Sequence, residues 1–182
     1  SNGNSVIALQ AVIEELKSTI KTALSTKMTK LGIDPMLTRK KALKIFPTTL
    51  ASALYFQDSE KLKILAIWAG DSRVYVLSPT KGLQLLSLDD AVNADREMNS
   101  ASEMNNCISA GNAFRLNYSI FEMDEPGIVF CCSDGCFDYL PSPLHFEWLV
   151  LQTILSCVPN VTSDNLGEAF ANSVRDSVYQ SI

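Results

Sequence analysis

Two apolar, β-branched runs in this chain each stop at an aspartate beside small residues. Leu62, Ile64, Leu65, Ile67 and Trp68 lead into Gly70-Asp71-Ser72-Arg73, and Ile128, Val129, Phe130, Cys131 and Cys132 lead into Ser133-Asp134-Gly135. Runs of this length and composition read as buried strands. An aspartate that leaves a buried strand and is followed by a small residue can aim its carboxylate at an ion. Two such strand ends, brought together in one sheet, make half of a site for a hard cation. Asp138 follows Asp134 by four residues, so a helical turn after Gly135 would put both carboxylates on one face. Asp71 joins them only if the two strands are neighbours. Three carboxylates within ~4 Å repel by roughly 4 kcal/mol per pair at an effective dielectric of about 20, so such a cluster calls for protons or a cation. Oxygen-only ligands select Mg²⁺ or Mn²⁺ over zinc. A divalent ion that eases deprotonation of water and neutralises phosphate suits phosphoester hydrolysis by direct attack of water. Each motif alone is an ordinary turn composition, and Asp138 alone an ordinary surface residue. Their joint occurrence, in order and in matching strand contexts, carries the reading.

The rest of the chain supplies a scaffold of α+β type. Its 182 residues suffice for one domain, expected over 1–182. Leu9, Ile13, Leu16, Ile20, Leu24, Met28 and Leu31 recur at steps of three and four, which predicts a long amphipathic helix over residues 5–31, closed by Gly32 and Asp34-Pro35. Strands are expected over 47–57, 62–69 and 73–77, with only Asp71-Ser72 between the last two; this reads as a hairpin within an antiparallel meander. A polar stretch over 89–112 reads as a long loop or flap. Strands follow over 113–123 and 128–132, then helices over 143–157 and 164–182. Leu166, Phe170, Val174 and Val178 form one face of the last helix, and Ser163 or Asp164 is expected to cap it. Helices are expected to cover sheet faces.

Composition narrows the function classes. The net charge is −5, with no basic stripe to neutralise nucleic-acid phosphates. Five cysteines without CxxC spacing and a single histidine, His145, argue against zinc; Cys131 and Cys132 read as small buried hydrophobes on opposite strand faces, suited to a reducing, cytoplasmic compartment. No apolar stretch reaches the ~20 residues that span a bilayer, and no secretory signal is visible. Neither nucleic acid nor a membrane is an expected partner.

Together the motifs resemble those of the metal-dependent type 2C protein Ser/Thr phosphatases. That family carries a Gly-Asp-Ser-Arg motif at a central strand end and a Ser-Asp-Gly motif that commonly continues to Trp-Asp or Phe-Asp. Here these are Gly70-Asp71-Ser72-Arg73 and Ser133-Asp134-Gly135-Cys136-Phe137-Asp138. Pro47-Thr48-Thr49-Leu50-Ala51-Ser52-Ala53 is similar to the family's Gly-Thr-Thr strand. Leu85-Leu86-Ser87-Leu88-Asp89-Asp90 is similar to its Leu-Thr-x-Asp-His segment, with Asp90 in place of the usual histidine.

The resemblance implies a central β-sandwich flanked by helices on both outer faces, a four-layer αββα fold. It implies Mn²⁺ or Mg²⁺ as cofactor and a phosphoserine or phosphothreonine protein as substrate, in a signalling role. Asp134 would be a ligand of the catalytic binuclear centre, and Asp71 and Asp138 would join it at an accessory ion. The family's upstream Asp-Gly motif, whose aspartate bridges both catalytic ions, is absent from this stretch, as are the phosphate-binding arginine and the last metal aspartate. The sequence is therefore expected to lack the N- and C-terminal metal-motif segments. A catalytically inactive relative that serves as a binding or sensing module is the alternative, and a plain structural domain with coincidental turns a third.

Overall fold

The computed structural model describes residues 2–34, 45–58, 61–90, 106–110 and 114–181. Its element order is α1 (Asn2–Lys30), β1 (Leu50–Asp58), β2 (Lys61–Ala69), β3 (Arg73–Ser78), β4 (Gly82–Leu85), β5 (Asn117–Met123), β6 (Ile128–Cys132), α2 (Pro143–Cys157) and α3 (Ser163–Ser181). The strands form two three-stranded antiparallel sheets, ordered β1-β2-β5 and β4-β3-β6.

Strand alternation sorts the core into layers. Leu65, Ile67 and Ala69 of β2 face α1, where Ile13 is buried among Leu9, Leu16, Ile20 and Leu24. Ile64, on the opposite face of β2, packs with Val76 of the second sheet and with Met123 of the neighbouring β5. Tyr75 and Leu77 of β3 point the other way, to Phe146 and Val150 of α2 and Phe170 of α3. The result is helix, sheet, sheet, helices, the αββα sandwich that the resemblance implies. The α1 stripe is the expected one except at its end: Leu31 is exposed, beyond the last helical turn. There Gly32 takes φ +66° and the Ile33 N–H reaches back to the Met28 carbonyl, a Schellman-type close that favours glycine.

Four expectations need correction. The segment 62–69/73–77 is not a hairpin, because β2 and β3 lie in different sheets. Gly70, at φ +91°, turns the chain from one sheet into the other. The backbone of Val74 is already occupied: its carbonyl accepts from Leu86 N–H and its N–H donates to Ser87 Oγ. Continuous burial of residues 64–69 on both faces is what a strand inside a sandwich shows, and a free-standing hairpin would not. The first strand begins at Leu50 rather than at residue 47, and Thr48 pairs only with Ile108. Of the two adjacent cysteines, Cys132 is buried but Cys131 is exposed, since β6 is a sheet edge. The last helix is capped by Thr162, not by Ser163 or Asp164: Thr162 Oγ1 accepts from Asn165 N–H while Asn165 Oδ1 accepts from Thr162 N–H. This reciprocal capping box satisfies two backbone donors at once, which neither expected residue would do. Most of the expected loop over 89–112 lies outside the described residues. Among the described residues no helix is long and apolar enough to cross a membrane.

Candidate functional site

Antiparallel pairing of β3 with β6 sets Arg73 opposite Cys132. Continuing that register outward by two residues places Asp71 across from Asp134, at the same end of the sandwich. The chain then winds into a short 3₁₀ turn, Asp134–Cys136, in which the Asp134 carbonyl accepts from both Phe137 N–H and Asp138 N–H at 2.9 Å. That turn returns Asp138 to the side of Asp134. Phe137, between them, is buried against Phe146 and anchors the turn to the core.

The three carboxylates share one field. The Asp71 carboxyl is pushed above its ordinary range, first by burial and then by the charges of Asp134 and Asp89. Asp138 is pushed up likewise, by burial and then by Asp134, against the opposing pull of Arg73. Arg73 does not neutralise the group, because its charge is committed elsewhere. Its Nη2 and Nε meet Asp89 Oδ2 and Oδ1 at 2.6 and 2.9 Å, and its guanidinium carbon lies 3.8 Å from the centre of the Phe137 ring. Burial works against this guanidinium, but the hydrogen bonds it donates to Asp89 and Tyr75 more than offset that and hold Arg73 charged. Three carboxylates therefore stand at this end with their nearest cation already paired.

The donor chemistry of the trio fits a hard divalent ion: oxygen only, negatively charged, and open to solvent at Asp134 and Asp138. Among the described residues, however, no three His, Cys, Asp or Glu side chains stand close enough to enclose one. The trio offers charge and oxygens for an ion without surrounding it.

Beside the trio, the interaction between the Cys132 and Cys136 thiols favours the thiolate at Cys136 and disfavours it at Cys132, which burial disfavours further. Residues not foreseen as part of this end are Asp89, which clamps Arg73, and Asp90, which receives N–H bonds from Gly70, Asn106 and Asn117. Two consecutive aspartates after a strand were the available signal. Their partners lie 16 to 27 residues away in sequence, beyond the reach of local pattern.

No protein-family profile matches the chain. It is 26% identical over 145 residues to a Mycoplasma genitalium protein named "Putative protein phosphatase", a match spanning 68% of this chain and 56% of that protein. The chain thus spans about half the length of its curated relative. Among solved structures it superposes on the serine/threonine phosphatase Stp1 from Staphylococcus aureus with a TM-score of 0.61 at 14% identity, covering 93% of this chain and 63% of that one. It superposes on PppA of Pseudomonas aeruginosa, a regulatory component of the T6SS, with a TM-score of 0.57 at 14% identity, covering 100% of this chain and 66% of that one. The catalytic domain of the phosphatase PstP, solved with two manganese ions, gives 0.50 at 14% identity over 92% of this chain and 76% of that one. The resemblance carried by two short aspartate motifs is met by the architecture: the chain is built on the scaffold of the type 2C Ser/Thr phosphatases.

Proposed function

We propose that the protein is a metal-dependent phosphatase that hydrolyses phosphoserine or phosphothreonine in proteins, with Asp71, Asp134 and Asp138 among its metal ligands and Mn²⁺ or Mg²⁺ as the ion. The observation that carries this reading is the β3–β6 register, which sets Asp71 across from Asp134 with Asp138 one turn further on. Similarity to a protein phosphatase over two thirds of the chain supports it. A divalent ion at this end would offset the charge of a phosphate and ease deprotonation of water. The chain's own part is to bring three carboxylates to the same end of the sandwich and to keep Arg73 occupied by Asp89. Further ligands would come from residues of the full-length protein beyond this trio. Phosphoproteins of the cytoplasm are the proposed substrates.

The full-length protein should release phosphate from a phosphothreonine peptide or p-nitrophenyl phosphate only with Mn²⁺ or Mg²⁺ present. Asp134→Ala should lower kcat by at least about 10²-fold, on the scale of losing a principal electrostatic group. Asp138→Ala should cost less. Equal activity in wild type and Asp134→Ala would refute the metal role. The non-catalytic reading, a binding or sensing module on the same scaffold, draws on the open arrangement of the trio. It predicts no turnover in either protein with metal supplied.

A further inference from the structure

Residues 86–90 run past the Gly70 corner and bond to it along their length. Leu86 N–H reaches the Val74 carbonyl at 2.8 Å, and Ser87 Oγ accepts from Val74 N–H at 3.0 Å. The Leu88 carbonyl accepts from Trp68 Nε1 at 2.6 Å, and Asp89 holds Arg73. Asp90 completes the brace by gripping Gly70 at both ends: its N–H donates to the Gly70 carbonyl at 2.9 Å, and its Oδ2 accepts from Gly70 N–H at 3.1 Å. Gly70 carries the left-handed φ that turns the chain between sheets, and Asp71 is the next residue.

The same Oδ2 also accepts from Asn106 Nδ2 at 2.6 Å and Asn117 Nδ2 at 2.8 Å. Asn106 is fixed in turn by Arg115, whose N–H and carbonyl it bonds at 2.9 and 3.0 Å. Only 11% of the Asp90 side chain is exposed, and its ion-pair partner, Arg115, is a surface residue 3.9 Å away. One carboxylate oxygen takes three N–H donors at once, whereas a neutral imidazole, the usual occupant of this position in the motif that the chain resembles, has a single acceptor nitrogen. Asp90 with Asn106 and Asn117 is thus a built, interlocked arrangement at this corner.

We propose that Asp90 is a positioning residue of the candidate site: by holding both backbone groups of Gly70 it fixes the direction in which Asp71 leaves β2, and with it the hold of the trio on its ion. The inference rests on the ion reading given above, and its test separates the two. Mn²⁺ binding to the full-length protein is titrated by the EPR signal of the free ion, beside a thermal melt of each variant. Asp71→Ala should remove one bound ion. Asp90→Ala and Asp90→Asn should weaken that same ion by roughly ten- to a hundredfold, the usual range for a group that orients a ligand. Thr162→Ala, which strips the cap of α3 far from the corner, should lower Tm and leave Mn²⁺ affinity unchanged; this distinguishes positioning from a general loss of stability. If Asp90→Ala does not fold, Asp90→Asn carries the comparison. An ion lost in Asp71→Ala but held at wild-type affinity by folded Asp90 variants overturns the inference alone. An unchanged ion count in Asp71→Ala overturns the ion reading and the inference with it.

Discussion

Asp71 sits half-buried where two strands part, and its carboxyl binds a proton more tightly in the folded chain than in the unfolded one because burial and Asp134 both disfavour its charge. A raised carboxyl pKa makes the ionised group a destabilising element at any pH above its folded value. That penalty fades as pH falls through the raised value toward the ordinary 3.8, below which the group is protonated in both states. Asp71→Asn should therefore raise Tm without metal at about pH 7, with the gain shrinking as pH approaches about 4. Mn²⁺ should reverse the order, because an ion that binds only the native trio stabilises wild type and not the variant. Melts at several pH values, with and without Mn²⁺, check both signs. A variant less stable than wild type in the absence of metal would show that Asp71 is held by attraction, not crowded by repulsion.

At the level of elements, α2 is the support beneath the site. Its Phe146 lies among Tyr75, Phe130, Phe137 and Phe170, with ring centres 5.1 to 6.2 Å apart. Such offset and edge contacts add to burial. Phe146→Ala should cost about 3–5 kcal/mol, measured by denaturant unfolding, and should loosen the Asp134–Asp138 turn through Phe137. A loss below about 1 kcal/mol would mean that α2 is not the floor of the turn.

The helix expected over 143–157 is α2 as observed, and Ser142 and Pro143 fix its start by their own chemistry. The core face of α1 was legible from its 3.6-residue period, and β6 from an apolar run closed by turns. The β2–β3 corner was not. Two residues between two apolar runs look alike whether the strands pair or cross to different sheets, and the deciding contacts come from residues 86–90. The same limit explains Asp90: its place in the motif was visible, but its partners Asn106 and Asn117 are joined to it only by the fold. Sequence alone does not single out Thr162, because Ser163 and Asp164, both good caps, follow it directly. The reciprocal bond with Asn165 decides between them.

At the scale of the whole molecule, two sheets face each other and present their Asp-bearing strand ends at one end of the sandwich. Helices close the outer faces and leave that end free of helical cover at Asp134 and Asp138, which are exposed. The scaffold is shared with bacterial proteins of under a fifth sequence identity, so the common element is the arrangement of layers rather than the side chains filling them. The proposed role of these strand ends is to share an ion. Crystals of the full-length protein grown with Mn²⁺ and measured at the manganese absorption edge test it most directly. An anomalous peak bounded by the carboxylates of Asp71, Asp134 and Asp138 is expected. Manganese bound elsewhere in the protein, with no peak at this trio, would contradict it.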